Sequence, residues 1–475
     1  MQPVLTVSEM NAVDAEAART TPLDVLVGRA GNAVAGAALS LLGGAYGRRV
    51  AVVAGPGNNG ADGRVVAARL GRRGARVQVL DAADPGRLPP CDLVVDAAYG
   101  TGFRGTYDAP EVPPGTPVLA VDIPSGVDGD TGQAGGRPLA ATMTVTFAAL
   151  KPGLLQGDGP GLAGEVRVAE IGVRAAEPGA ALVEDGDVER LVPPRSRDGH
   201  KWASAVCVVA GSPGMEGAAN FSARGASHAG AGMVRLAVPG GRAPDGRGSR
   251  PGPWPLEAVR LSLDDDGWSG PVLEVLERCG ALVVGPGLGR DEATQAEIRR
   301  LVAQSPVPVV ADADALVALG DAASARALVQ ARDDRPVVLT PHDGEYRGLA
   351  GHPPGPDRLA AARSLAAATG AVVLVKGPLT AVADPSGPVA AAPDVLLAAA
   401  GTSRLATAGT GDVLSGIIGA LVARGVPAHQ AAALGAHVHG RAASLGPAEG
   451  LVAGDLPDLV AAWLSGRREG DGRAG

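Results

Sequence analysis

Two glycine-rich loops, each carrying an aspartate, constrain the fold of this chain most strongly. The first loop spans residues 55–63 (GPGNNGADG) and the second spans residues 408–412 (AGTGD). Each follows an apolar run typical of a buried strand and precedes a run typical of a helix. The start of a helix presents unpaired N–H groups and partial positive charge, which favour anions. The sequence therefore predicts two α/β domains, each with a nucleotide site beside an acidic side chain.

Strand-like runs recur through both halves of the chain. In the first half they lie at 49–54, 76–80, 93–98, 118–124, 144–150 and 166–173, and in the second at 205–211, 233–239, 281–289, 307–316, 336–345 and 371–377. Apolar strands separated by helices indicate parallel sheets. A segment rich in proline, glycine and acidic residues, 175–199, interrupts the series. We expect one domain over 1–195, a second over 196–466, and a disordered tail over 467–475.

Composition excludes several classes of partner. The net charge of -8 argues against a nucleic-acid binder, which needs a basic face. Three scattered cysteines argue against a cysteine-based zinc site and suit a reducing compartment. The sequence shows no signal-peptide pattern and no long uninterrupted apolar run, so we expect a cytoplasmic protein without a membrane partner. Aromatic residues make up only 2% of the chain, which leaves few rings for base stacking.

The first loop has two interpretations. Gly55, Gly57 and Gly60 fit the G-x-G-x-x-G pattern of dehydrogenases, and Asp81 follows at the usual spacing. Asp62 argues against that interpretation, because a carboxylate in the first turn of the helix would repel a bound pyrophosphate.

Two further loops follow strands of the same predicted sheet, at 96–105 and 122–127. Ligands bind at the carboxyl ends of such strands, so Asn59, Asp96, Asp122 and Ser125 are expected to converge. The alternative for any single aspartate is a turn cap.

The motifs NNGADG, DAAYGTGFRG, DIPSGVDGDTG and TFAALKPGL resemble the NAD(P)H-hydrate epimerase family, over roughly residues 1–190. The resemblance implies a Rossmann-like parallel sheet and a potassium ion held by Asn59, Asp96 and Ser125. Ala61 departs from the family's usual NNGGDG. By the same resemblance the damaged nucleotide is held by Asn58, Asn59, Gly60, Ala61, Asp62, Gly100, Thr101, Gly102, Phe103, Arg104, Gly105, Thr106 and Asp122.

The second loop, taken alone, fits either a phosphate cradle with an aspartate base or a glycine turn with a capping aspartate. Its neighbours GPGLG (285–289), DADAL (312–316), TPHDGE (340–345) and KGPLT (376–380) resemble the ADP- or ATP-dependent NAD(P)H-hydrate dehydratases, which have a ribokinase-like fold. The resemblance covers about residues 198–465. It departs at HKWASA (200–205) and at Val317.

By that resemblance two groups of residues contact ligands in the second domain. The adenine nucleotide is assigned to Lys376, Gly377, Pro378, Leu379, Thr380 and Gly411. The hydrated nicotinamide nucleotide is assigned to Ala218, Gly287, His342 and Asp412.

Lysine is rare in this chain. Only Lys151, Lys201 and Lys376 are lysine among the 42 basic residues, so each is either retained for a role that arginine does not fill or retained by chance.

His437 and His439 lie two apart on a predicted helix and face different ways, so we interpret them as ordinary helix residues rather than metal ligands.

The two resemblances together imply repair of hydrated nicotinamide nucleotides. The first domain would interconvert the R and S hydrates, with Asp122 as acid and base. The second would dehydrate the S form with ADP or ATP and Mg²⁺, with Asp412 receiving or orienting the hydroxyl proton. One rival is a ribokinase-like small-molecule kinase with an accessory N-terminal domain, and another is a non-catalytic binding module. We expect small-molecule substrates and a homo-oligomer.

Overall fold

The computed structural model describes residues 1–173, 177–240, 254–332, 335–387 and 392–470. They form two compact units, one made of Gln2–Ala180 and the other beginning at Ala181. The change of unit therefore comes before the expected boundary at residue 195. The reason is that Ala181, Val183 and Val188 are already buried in the core of the second unit.

The first unit begins with a short strand and two helices, and from its third strand to its eighth the strands follow one another without an α-helix between them. Its elements are β1 (Gln2–Val4), α1 (Val7–Thr20), α2 (Leu23–Leu42), β2 (Arg49–Ala54), α3 (Asn58–Gly71), β3 (Arg76–Asp81), β4 (Leu93–Ala97), β5 (Tyr107–Asp108), β6 (Val118–Val121), β7 (Gly136–Arg137), β8 (Met143–Phe147), α4 (Gly159–Ala163) and β9 (Glu165–Ala169), with a 3₁₀ turn at Pro152–Leu154.

A six-stranded sheet in the order β3-β2-β4-β6-β8-β9 forms the centre of this unit, and all its pairings are parallel. Val50 and Val52 of β2 pack into the core on one face, and Ala51 and Val53 pack into the core on the other. Burial on both faces explains the unbroken apolar run of β2. The chain leaves β2 for β3 on one side and returns to β4 on the other, so β2 and β4 flank a switch point where ligands bind.

One helix passes a test for membrane spanning. Within the described part of the chain, α2 alone is long and apolar enough to cross a membrane by length and composition. Its residues Leu26, Val34 and Ala38 are buried in the core of the first unit, and α2 packs against α3. A helix buried in a protein core can have the same length and apolar composition, so the burial of α2 accounts for its apolar residues.

The second unit is larger and is also of mixed α/β type. Its elements are β10 (Ala180–Leu182), α5 (Asp185–Leu191), β11 (Ala205–Val209), α6 (Glu216–His228), β12 (Met233–Val238), β13 (Val259–Ser262), α7 (Ser269–Leu276), β14 (Ala281–Val284), α8 (Glu292–Gln304), β15 (Val309–Ala311), α9 (Asp314–Leu319), α10 (Ala322–Gln330), β16 (Val337–Leu339), α11 (Asp343–Ala350), α12 (Arg358–Thr369), β17 (Val372–Val375), β18 (Thr380–Ala383), β19 (Val395–Ala398), α13 (Thr410–Ala423), α14 (Ala428–Leu445) and α15 (Leu456–Gly470), with 3₁₀ turns at Lys201–Ser204 and Ser403–Leu405.

Its strands run in the order β10-β19-β18-β17-β16-β15-β14-β11-β12-β13. The pairings from β17 to β13 are parallel, and β18 pairs antiparallel with β17 and β19. Helix α15 spans Leu456–Gly470, residues 471–475 lie outside the described residues, and the disordered tail expected over 467–475 stays a prediction.

Helix α13, which follows the second glycine loop, is almost wholly buried and packs closely against α6. A methyl group on Gly416 would lie 2.1 Å from the Ser222 carbonyl oxygen, and one on Gly225 would lie 2.4 Å from that of Val413. Glycine at both positions lets the two backbones touch. The close contact fixes the N-terminus of α13 relative to the sheet.

Candidate active sites

The loops after β2, β4 and β6 meet in a cavity of about 740 Å³ in the first unit. Most of the predicted nucleotide-binding residues are on its wall, namely Asn58, Asn59, Asp62, Gly100, Thr101, Gly102, Phe103, Arg104 and Asp122. The predicted residues Gly60, Ala61, Gly105 and Thr106 are not on the wall, although they belong to the same two loops. Gly60 instead makes a close backbone contact, since a methyl group there would lie 1.8 Å from the Gly55 carbonyl oxygen.

Asp122 has a strained backbone and a buried cationic partner. Its φ of 69° lies in the left-handed region that non-glycine residues avoid, and such strain is characteristic of functional sites. The Lys151 ammonium group, only 1% exposed, donates to Asp122 Oδ1 at 2.7 Å, to Thr146 Oγ1 at 2.7 Å and to the Phe147 carbonyl oxygen at 2.9 Å. All three N–H donors of Lys151 are used, so the lysine holds the carboxylate in one orientation.

Two further carboxyl groups face the same cavity. Burial, and then the negative charges of Asp122 and Asp14, raise the pKa of Asp62 to about 8. Burial likewise raises the pKa of Asp14, which comes from α1. Asp62 is therefore a neutral carboxylic acid near neutral pH and does not repel a phosphate.

Asp62 does not lie in the first turn of α3, contrary to the expectation from sequence, because α3 begins at Asn58 and Asp62 is its fifth residue. Asp81, the acidic residue of the dehydrogenase interpretation, is exposed and accepts a hydrogen bond from Ala83 N at 2.9 Å, as a turn cap does.

The predicted potassium ligands are Asn59, Asp96 and Ser125. Among the described residues, no cationic side chain pairs with their oxygen atoms. Asp96 is completely buried, and its carboxylate accepts a hydrogen bond from Ser125 N at 2.9 Å. Burial raises the pKa of Asp96, as expected for a carboxylate with no cation beside it. Both polar side-chain atoms of Asn59 are buried without a hydrogen-bond partner. Unpaired buried polar atoms each cost about 1–3 kcal/mol, so these residues fit a bound hard cation.

In the second unit, the second loop delivers Asp412 to the start of α13. Gly409 caps the helix with a φ of 90°, and the Thr410 hydroxyl fixes the turn by donating to the Leu405 carbonyl oxygen at 2.8 Å. The Thr410 N–H donates to the Thr407 carbonyl oxygen at 3.4 Å, whereas the N–H groups of Gly411 and Asp412 have no acceptor within the helix and are available to an anion. Burial, and then the charge of Asp312, raise the pKa of Asp412 to about 7.

Lys376 is fixed beside this helix start. Its ammonium group lies 2.7 Å from Asp312 Oδ1 and 3.7 Å from Glu345 Oε2. Asp312 is buried, and its other oxygen accepts a hydrogen bond from the Ser415 hydroxyl of α13. A methyl group on Gly411 would lie 3.6 Å from Lys376 Nζ. The ammonium group and the N–H groups of α13 therefore face the same space.

That space opens into a cavity of about 500 Å³. It is lined by Lys376, Gly377, Pro378, Thr380 and Gly411, which were predicted, together with Ala398, Gly401, Thr402, Ser403, Leu405, Ala406, Thr410, Leu414, Ala436 and His439. The remaining predicted residue of this set, Leu379, is buried and off the wall. The lining is mainly apolar, with a cation and helix N–H groups at one side, and suits a base attached to phosphates.

His439 was not recognised from the sequence as a site residue. It lines the cavity from α14, and burial lowers its pKa to about 4, so the imidazole is neutral. Its Nε2 atom is buried without a hydrogen-bond partner among the described residues. Sequence spacing gives no signal for this position, since the burial arises only when α14 packs on the strands.

The residues predicted for the hydrated nucleotide fall into three places, one of which is Asp412 at the start of α13. Gly287 and Ala218 are adjacent, because a methyl group on Gly287 would lie 2.9 Å from Ala218 Cβ. His342 lines a separate cavity of about 420 Å³ and caps α11, where its Nδ1 accepts from Gly344 N at 2.9 Å. His342 Nε2 lies 3.5 Å from Glu345 Oε1, so Glu345 lies between His342 and Lys376.

We expect Lys376→Ala to raise the KM for the adenine nucleotide by about 10–100-fold, because hydrogen bonds from a charged donor contribute about 1.5–3 kcal/mol. The KM for the hydrated nucleotide should change much less. Steady-state kinetics with each substrate varied in turn measures both values. Lys201→Ala, an exposed lysine of the same unit, is the control. An unchanged nucleotide KM would mean that Lys376 only stabilises the strand end.

Comparison with known proteins assigns both halves. A family model described as NAD(P)H-hydrate dehydratase matches residues 206–464, and one described as YjeF-related protein N-terminus matches residues 23–88 and 80–153. The bifunctional NAD(P)H-hydrate repair enzyme Nnr of Moorella thermoacetica is 36% identical over 476 aligned residues, covering 87% of each chain.

Two solved structures resemble the chain in fold. A ribokinase-like superfamily protein from Enterococcus faecalis V583 is 21% identical with a TM-score of 0.50, covering 61% of this chain and 96% of that chain. The ADP/ATP-dependent NAD(P)H-hydrate dehydratase from Bacillus subtilis, co-crystallized with ATP/Mg²⁺, is 28% identical with a TM-score of 0.49, covering 59% of this chain and 96% of that chain. The expected ribokinase-like fold is confirmed by the first of these. With both families matched in order along one chain, the protein belongs to the family of bifunctional NAD(P)H-hydrate repair enzymes.

Proposed function

We propose that the two cavities carry out successive steps in the repair of hydrated nicotinamide nucleotides. The first interconverts the R and S hydrates of NADH and NADPH, and the second dehydrates the S hydrate at the expense of ADP or ATP. The observation that carries this assignment is a carboxylate beside a lysine in each unit: Asp122 pairs with the buried Lys151, and Asp412 lies close enough to the partly buried Lys376 for their charges to interact. Each pair lies at the carboxyl edge of its own sheet, where ligands bind.

At the start of α13, Asp412 accepts the proton of the ring hydroxyl while the hydroxyl oxygen attacks the terminal phosphoryl group of the nucleotide. The N–H groups of α13 and the Lys376 ammonium group stabilise the transferred phosphoryl oxygens. The ring nitrogen's lone pair then expels phosphate, and loss of a proton from the neighbouring carbon restores the double bond of NAD(P)H. The nucleotide ends one phosphate shorter.

Mg²⁺ would accompany the nucleotide phosphates and neutralise their charge during transfer. The carboxylates of Asp412 and Glu345, whose charges both act on Lys376, are oxygen donors of the type that this ion prefers. Asp312 is less suited, because Lys376 and Ser415 already occupy its two oxygens.

In the first cavity, Asp122 exchanges the hydroxyl proton of the hydrated ring. Lys151 occupies Oδ1, whereas Oδ2 lies on the side of Gly100, 3.5 Å from the position a methyl group would take there. Oδ2 is therefore the oxygen available to the substrate. Asp62, as a neutral acid on the same wall, protonates the hydroxyl group so that it leaves as water while the ring nitrogen's lone pair forms a C=N bond. Water then adds to the opposite face of that carbon and gives a proton to Asp122, which yields the other epimer.

The rate of dehydration should rise with pH and level off above about 7. Asp412 accepts a proton only when it is ionised, and its raised pKa means that the ionised fraction grows through this range. A plot of log kcat against pH for the S hydrate should therefore have a slope near one on the acid side. A flat profile between about pH 5 and 8 would contradict the role of Asp412 as base.

Epimerisation should respond to potassium through Asn59, Asp96 and Ser125. A cation about 4 Å from the Asp96 carboxylate gains roughly 4 kcal/mol at an effective dielectric of 20. Asp96→Ala should remove the response of the R-to-S rate to potassium, with choline chloride replacing the salt at equal ionic strength. Asn59→Ala, which deletes no buried charge, should weaken the response as well. Dehydration of pure S hydrate in the same samples should not change, and a retained potassium response in both variants would refute the site.

The direct test incubates the protein with the hydrate and ADP or ATP and follows the return of NADH absorbance. A small-molecule kinase would leave a stable phosphorylated alcohol, and a binding module would leave the hydrate unchanged. Recovery of NADH without a persistent phosphorylated product supports the proposal. The predicted cytoplasmic location, homo-oligomeric state and lack of nucleic-acid or membrane partners stay predictions.

A further inference from the structure

Aromatic side chains are scarce in this protein, and several of them lie at one cavity. The chain has three phenylalanines and four tyrosines, and its cores are built mainly from alanine, valine and leucine. Two of the phenylalanines and one of the tyrosines line the first cavity, as Phe103, Phe147 and Tyr99. A cavity that collects rings in a chain that otherwise avoids them is suited to a flat ligand.

Tyr99 and Phe103 form a close, tilted ring pair on the loop after β4. Their ring centroids lie 4.3 Å apart with an interplanar angle of 33°. The buried Tyr107 packs edge-on against Tyr99 at 5.2 Å. Both rings of the pair are only partly buried, so they keep surface for a ligand.

The backbone of Tyr99 is fixed by the loop after β6. Tyr99 N donates to Ser125 Oγ at 2.9 Å, and Ser125 Oγ donates to the Tyr99 carbonyl oxygen at 3.1 Å. The ring pair is therefore held in place before any ligand binds, which lowers the entropy lost on binding.

The substrate offers two rings to this cavity. The hydrated ring has to lie against Asp122 and Lys151, where the proton is exchanged, and its added hydroxyl leaves it partly saturated and no longer flat. Adenine stays flat and stacks well on aromatic side chains. Resting on the epimerase assignment of this cavity, we propose that Tyr99 and Phe103 form the subsite that stacks the adenine ring of the hydrated dinucleotide.

The test compares two substrates, the hydrate of NADH and the hydrate of the reduced nicotinamide mononucleotide, which lacks adenine. For the wild type, the KM of epimerisation should be lower for the dinucleotide. In the double variant Tyr99→Leu, Phe103→Leu, the ratio of the two KM values should fall by about tenfold, because stacking contributes on that order per base. Tyr46→Leu, an exposed tyrosine of the same unit, should keep the wild-type ratio.

If the double variant kept the wild-type ratio of the two KM values, the proposal would be overturned. An equal rise of both KM values is one such result, and it would mean that the reacting ring lies on Tyr99 and Phe103. A second measurement needs no reaction. Calorimetric titration with ADP-ribose in a Lys376→Ala background, which weakens the other nucleotide site, should show about tenfold weaker binding in the double variant. Loss of that affinity in a protein without epimerase activity would contradict the proposed reaction but support the adenine subsite, and unchanged affinity would refute the subsite.

Discussion

Replacing Asp412 by asparagine is expected to slow dehydration of the S hydrate by about 10²–10⁴-fold, the usual effect of losing a general base. Asparagine has the same shape but does not accept the hydroxyl proton. The fold should be retained, because burial already disfavours the charge at this position and the neutral amide removes the repulsion from Asp312. The rate is measured as NADH absorbance regained from pure S hydrate with ADP or ATP.

Two controls make the Asp412→Asn result specific. Epimerisation by the same sample should stay at the wild-type rate, because that reaction belongs to the first unit. Asp266→Asn, an exposed aspartate of the second unit, should dehydrate normally. Near-normal recovery of NADH by Asp412→Asn would show that another group takes the proton.

Asp122→Asn should reduce R-to-S epimerisation by a similar factor while leaving dehydration of pure S hydrate intact. Asparagine tolerates the left-handed backbone conformation at this position better than most residues, so the local turn should persist. The amide oxygen still accepts from Lys151, but the buried ammonium group loses its counter-charge, so the thermal midpoint should fall. Epimerisation is followed by chromatographic separation of the two hydrates.

Asp84→Asn, an exposed aspartate of the first unit, is the matched control and should change neither the rate nor the thermal midpoint. If Asp122→Asn kept the wild-type epimerisation rate, the acid and base of this reaction would have to be sought among Asp62 and Asp14.

Strand positions were predictable from the sequence, whereas the starts of the site helices were not. The run predicted at 49–54 forms β2 over Arg49–Ala54. Helix α3, expected from residue 63, begins at Asn58. Asparagine and glycine favour loops when read locally, but the helix starts within the motif, and the Gly60 backbone packs directly against the Gly55 carbonyl oxygen, a contact that local sequence does not reveal.

In each unit, many of the residues predicted to bind a nucleotide lie on the wall of the cavity, because their motifs are in loops that follow neighbouring parallel strands. The missed groups come from elsewhere in the chain. Asp14 lies on α1 and His439 on α14, and their contribution depends on how those helices pack. Lys151 had one signal, its retention as lysine in an arginine-rich chain, but composition alone did not distinguish a role from chance.

The central claim is that two separate sites act in succession, and a mixing experiment tests it most directly. Asp122→Asn and Asp412→Asn are each incubated alone with pure R hydrate and ADP or ATP, and then together, while NADH absorbance is followed. We predict that each variant alone regains NADH only at the slow rate of its impaired site, and that the mixture regains it much faster, because the S hydrate made by the intact first site of one reaches the intact second site of the other. A mixture no faster than its components, or full recovery by either variant alone, would contradict the assignment of the two steps to these two sites.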